Sequence, residues 1–293
     1  WYVLGLLGWI AFHLVFYGGA FVQVKRYLLP AYPFLFITAS WLLVRIWRWA
    51  QTGSLAIPGL PKWLHPGYVL PVLVVGFTVF YGAAFTNSVY LHSHTRIEAS
   101  EWIYANIPPG STISNEYWDD ALPLRLPGHD PGMFYGVQFD NYGSDIESKI
   151  PELVNNLDRV DYYITSSNRL YGSIPRMPDR YPMTTAFYEA LLNGDLGFEL
   201  IQTFENPPEL FGITLDDANA DESFTVYDHP TVMIFKKTDK WSANAAWLYL
   251  SDALGDGGIN LKPIDVTPDQ VMLSPDEVKE YQRAGTWSDI FHP

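Results

Sequence analysis

The chain has no cysteine, and its first 86 residues contain no Asp or Glu. The first absence excludes a disulfide framework and any thiolate metal site. The second divides the chain. Five cations, Lys25, Arg26, Arg45, Arg48 and Lys62, stand alone in the first 86 residues, and all 32 acidic residues lie beyond them. Also missing are a phosphate-cradling Walker A motif and a glycine fingerprint between strand and helix, so nucleotide binding has no support. Nucleic acid is disfavoured as well, because the acidic second part repels phosphates.

What remains in residues 1–86 is apolar and aromatic. A bilayer needs about 20 apolar residues per helix, and runs 2–21, 28–47 and 67–85 meet that length. The expected architecture is a membrane all-α helical bundle segment with three transmembrane helices over 1–86. An extracytoplasmic α/β domain with a mixed sheet follows over 87–240, then a C-terminal helix and linker or tail over 241–293. The chain begins with Trp and lacks the charged start and small-residue cleavage site of a signal peptide, so it is expected to be a piece of a longer protein. Cations in short loops favour the cytoplasm. The loop 48–66, with Arg45 at its edge, is therefore read as inside and the acidic domain as outside. His13, alone within the first span, is read as a packing residue.

That orientation leaves Lys25 and Arg26 outside, just before Pro30 and Pro33. Two cations at that depth suit a lipid phosphate, which Arg meets with a planar fork and Lys with a point charge. Prolines are tolerated in a helix's first turn, where free N–H groups also favour an anion. The alternative is simple snorkelling of both side chains to the headgroups.

The segment "KRYLLPAYPFLFITASWLL" (25–43) resembles the late-span signature of family 39-type glycosyltransferases of the GT-C superfamily, relatives of the protein O-mannosyltransferases and aminoarabinose transferases. "DYYITSSNRLYGSIPRMPDRYP", "LLNGDLGFELIQTFENPP" and "ESFTVYDHPTVMIFKK" are similar to the extracytoplasmic domains of such proteins in bacteria like the Chloroflexi. The resemblance implies a multi-pass protein of a prokaryotic plasma membrane, extracytoplasmic from about residue 87. It implies transfer of a sugar from a polyprenyl-phosphate donor to a protein or glycan acceptor. It carries Arg26 over as the donor-phosphate contact, with Lys25 and Tyr27 beside it. The family's catalytic Asp lies in an early outer loop, so no catalytic residue is expected in this chain. No cofactor is expected, and a divalent metal requirement stays open.

In the second part, alternation and amphipathic spacing predict strands at "YGVQFD", "DYYITSS" and "FELIQTFE", and helices at "ESKIPELVNNL" and "TTAFYEALLNGDL". "SFTVYDHPTVMIFKK" reads as a terminal hairpin, and residues 241–254 as one more helix. Asp119 and Asp120 can work as an acid–base pair or hold a cation, but an N-cap before "ALPL" is preferred. His92 and His94 are read as headgroup contacts. Asp228 and His229 have the residue types of an orienter and a base, which would suit a membrane-tethered hydrolase, although turn chemistry also explains them. Asn168, Arg169, Arg176 and Arg180 form a polar stretch suited to an acceptor. The rival to a glycosyltransferase is a membrane-anchored, non-catalytic module that binds a glycan or a partner.

Overall fold

The computed structural model describes residues 2–18, 25–52, 61, 64–218, 220, 222–255 and 257–258. The side chains of Lys25 and Arg26 lie outside the described residues, as do Lys62 and the expected tail from 259 onward.

Three apolar helices come first: α1 (Tyr2–Gly18), α2 (Tyr32–Gln51) and α3 (Pro66–Phe85). Pro33 in the first turn of α2, and Pro66 with the His65 cap at the start of α3, fall where a missing N–H costs nothing. Two helical runs, Tyr27–Gln51 and the one beginning at Pro66, are long and apolar enough to cross a membrane. Helix α1 has 17 described residues, and positions 19–21 of the first expected span lie outside the described residues. The outward faces of α2 and α3 are apolar and bare, with Phe36 68% and Phe77 63% exposed. Contiguous exposed apolar surface of this kind calls for lipid or a partner rather than water.

The segment Lys25–Ala31 is a 3-10 turn leading into α2. Trp9 of α1 donates from Nε1 to the Pro30 carbonyl at 3.2 Å, and the rings of Tyr17 and Tyr27 lie 5.5 Å apart. Within α1, His13 donates from Nδ1 to the Trp9 carbonyl at 3.0 Å and packs against the Trp9 ring.

A π-helical turn, Thr86–Tyr90, carries the chain from α3 to α4 (Thr95–Asn106), which ends before Pro108-Pro109-Gly110. Strands β1 (Thr112–Glu116), β2 (Tyr135–Phe139), β3 (Tyr162–Thr165), β4 (Phe198–Phe204) and β7 (Val232–Lys237) form one sheet in the order β2-β1-β3-β7-β4. β2, β1 and β3 are parallel, and β7 runs antiparallel to both β3 and β4. Mixed pairing is therefore present. A separate small hairpin joins β5 (Glu209–Leu210) to β6 (Ile213–Thr214).

Side chains alternate across the sheet as a pleat requires. Tyr163, Met233 and Phe235 face α5 (Lys149–Arg159), α6 (Pro182–Asn193) and α8 (Ala243–Leu254). Tyr162, Ile164, Val232 and Ile234 face α4, with Ala99 and Ile103. Helices thus cover both faces. Helix α8 contributes Ala246, Leu250 and Leu254 to the larger core, and α6 stops at Gly194 in a left-handed cap.

The expected terminal hairpin does not form. Its second arm is β7, but its first arm folds as the short helix α7 (Glu222–Thr225) and a turn ending at Pro230. Asp228-His229-Pro230 lacks the positive-φ residues of a tight hairpin turn. β7 instead takes both its ladders from β3 and β4, which leaves residues 222–230 to pack at the sheet's carboxyl edge.

Candidate functional site

β1 and β3 are neighbours, yet the chain leaves β1 toward β2 on one side and leaves β3 toward α6 and β4 on the other. This reversal opens a crevice at the carboxyl ends of the parallel strands, the place where open α/β sheets bind ligands. Two loops line it, one after β1 and one after β3. Trp118 adopts a left-handed φ of 79°, unusual for a bulky residue, and turns the first loop back under α4. There Arg96 meets two carboxylates, Nη2 to Asp119 Oδ1 and Nη1 to Asp120 Oδ2, both at 2.8 Å. Its Nε donates to the Ser166 carbonyl at 3.1 Å, and the Ser167 hydroxyl donates to Asp119. From the second loop, Arg169 pairs with Glu222 of α7 at 3.0 Å and donates to the Trp118 carbonyl.

Beside this network lies a cleft of about 460 Å³ lined by Asn168, Tyr171, Glu205, Asn206, Asp217 and His229, among others. His229 is buried and binds Asp217 through Nε2 at 2.9 Å, while its buried Nδ1 has no partner among the described residues. Phe85, the last residue of α3, stands edge-on to the His229 ring at 5.1 Å. Helix α7 packs against the turn Lys25–Ala31. The carboxyl edge of the sheet therefore faces the apolar helices. Carboxylates, amides and a tyrosine make this cleft rich in hydrogen-bonding groups and negative, which suits a polyhydroxylated ligand better than a bare anion.

Behind the crevice, the last residue of β1 is a fully buried Glu116. Tyr163 and Tyr188 donate to its Oε1 at 2.8 and 2.7 Å, Asn141 does so at 3.2 Å, and Oε2 has no partner among the described residues. Burial raises its carboxyl from 4.5 to about 7, against the lowering effect of those hydrogen bonds. The folded state thus holds a proton on Glu116 that the unfolded chain releases near 4.5. This contribution to stability is complete below about pH 4.5 and is lost as pH rises through about 7. Glu116→Gln keeps the acceptor without the charge. Thermal melts of the variant should lose this pH dependence, with an advantage over wild type that grows to about 3 kcal/mol above pH 7. Identical pH profiles for the two proteins would contradict the assignment.

The sequence candidates fall into three groups. Asn168 and Arg169 reach the crevice, and Thr225 of α7 donates to Asn168 at 3.3 Å. Arg176, in the 3-10 turn Ile174–Arg176, and Arg180, stacked over Tyr181 at 5.2 Å, do not line the cleft. Asp119 and Asp120 sit in the crevice, but not as an N-cap: no helix follows them, because both carboxylates turn to Arg96. His229 pairs with Asp217 rather than Asp228, since the turn after α7 points it back into the cleft. His94 caps α4 by accepting from Arg96 N at 3.2 Å, and His92 bonds to carbonyls of the π-helical turn. Neither histidine has a ligating cluster around it among the described residues.

Arg96, Glu116, Asp217 and Glu222 were not singled out from sequence. Arg96 alone carried a signal: a cation in the first turn of a helix opposes the helix dipole and needs a local reason, here two carboxylates.

The chain was compared with family models, with curated proteins and with solved structures, and none of the three comparisons finds a match.

Proposed function

We propose that this chain is the donor-side and outer-domain part of an integral membrane glycosyltransferase that takes a sugar from a polyprenyl-phosphate carrier. In this reading Arg26, with Lys25 and Tyr27, holds the carrier phosphate, and the cleft by Asn168 and Arg169 receives an acceptor, protein or glycan. The observation that carries it is the packing of the Lys25–Ala31 turn against α7, whose Glu222 binds Arg169. A cationic turn at the end of a membrane-length helix thus adjoins a hydroxyl-friendly cleft, as transfer between a lipid-linked sugar and a polar acceptor requires.

The same elements support a sidedness for this reading. Arg45 and Arg48 lie at the end of α2 away from that turn, so the positive-inside rule supports an extracytoplasmic α/β domain in a multi-pass protein of a prokaryotic plasma membrane. The negative cleft supports a neutral sugar-bearing acceptor rather than a nucleic acid. The general base is expected outside this chain. Asp119, Asp217 and Glu222 are each engaged by a basic partner, which favours a second reading of the domain as a non-catalytic module that binds a glycan or a partner.

The two readings separate in proteoliposomes containing the full-length protein. The first predicts movement of a labelled sugar from polyprenyl-phosphate hexose to endogenous acceptor. Saturable acceptor binding without any transfer would favour the second.

A further inference from the structure

Beside the end of α3, the hairpin β5–β6 turns through Phe211 and Gly212, both left-handed at φ 55° and 77°. A two-residue turn of this type favours Asn, Asp or Gly at both positions. A phenylalanine there holds an unfavourable backbone and points away from the fold, 89% exposed, with Ile213 beside it at 54%. The hairpin is also bolted to the membrane-length helix. Asn87 and Ser88, in the turn that continues α3, donate to the Glu209 carbonyl at 3.2 and 3.1 Å, and Glu209 N donates to the Ser88 hydroxyl. β5 packs on α3 itself. Leu91, at the end of that same turn, is 74% exposed. The apolar surface of α3 thus continues onto Leu91 and the hairpin tip.

We propose that the β5–β6 hairpin is a lipid wedge: Phe211 and Ile213 insert into the bilayer interface next to α3 and fix the α/β domain, and its crevice, at a set height over the membrane. The inference rests on α3 crossing the membrane and is independent of the chemistry at the crevice. Apolar side chains entering lipid recover the free energy lost by exposing them, and an aromatic ring suits the headgroup boundary.

Since the native chain is free of cysteine, single sites can be labelled in the full chain. Phe211→Cys, Val75→Cys in α3 and Asp239→Cys at the opposite edge of the sheet would each carry an environment-sensitive fluorophore in vesicles of phosphatidylcholine with phosphatidylglycerol. The label at 211 should be blue-shifted, quenched by nitroxide-bearing acyl chains as at 75, and protected from aqueous iodide, whereas 239 shows the reverse. Ile213→Cys gives the same reading if Phe211→Cys does not fold. Quenching at 75 with iodide access at 211 and 213 would overturn the wedge alone. Iodide access at 75 as well would overturn the spanning of α3 and the wedge with it.

Discussion

Arg96→Ala is expected to destabilise the α/β domain by about 3–5 kcal/mol, the usual result of stripping one partner from a buried ion pair. The Arg96 side chain is 8% exposed and that of Asp119 1%. Removing the guanidinium leaves Asp119 a buried charge whose remaining side-chain donor is Ser167, and frees the Ser166 carbonyl that Arg96 Nε had satisfied. Asp120, 65% exposed, contributes little to this loss. Arg96→Lys should recover only part of it, because an ammonium cannot span two carboxylates and a carbonyl as a planar fork does. Asp119→Asn in the Arg96→Ala background should restore most of the loss. Denaturant titration followed by near-UV circular dichroism checks both. A loss below about 1 kcal/mol, typical of surface pairs, would show that the loops are held by something other than this cation.

Arg26→Ala addresses function rather than stability. Hydrogen bonds to a charged group are worth about 1.5–3 kcal/mol, and each 1.4 kcal/mol is tenfold. Transfer from a polyprenyl-phosphate sugar should therefore fall about 10- to 100-fold in the full-length enzyme. Arg26→Lys should fall less, since it keeps the charge and loses only the fork. Membrane insertion should be unchanged, because α2 begins beyond this residue at Tyr32. Unaltered transfer by Arg26→Ala would reduce Arg26 to a snorkelling side chain.

Local pattern carried most of the fold. The pleat alternation of β3 and the apolar stripe of α5 depend on near neighbours, so β2, β3, β4, β7, α5, α6 and α8 stand close to their expected positions. The failed hairpin marks where local reading ends. "SFTV" and "TVMIFKK" have similar alternation, yet only the second finds open ladders, between β3 and β4. The site was less visible for the same reason. Asp119 is held by a cation 23 residues earlier, and Tyr188 reaches Glu116 across 72 residues. No spacing rule announces such partners. The short, polar "DHP" turn suggested a dyad between sequence neighbours, whereas packing gave His229 a different acid, Asp217.

The central claim is that the turn Lys25–Ala31 holds a lipid-linked phosphate beneath the crevice. Its most direct test is binding of polyprenyl phosphate to the chain in lipid nanodiscs, measured for wild type and Arg26→Ala by native mass spectrometry. The account predicts saturable binding by wild type that weakens about tenfold or more in the variant. Equal binding by the two proteins, or none by wild type, would contradict it.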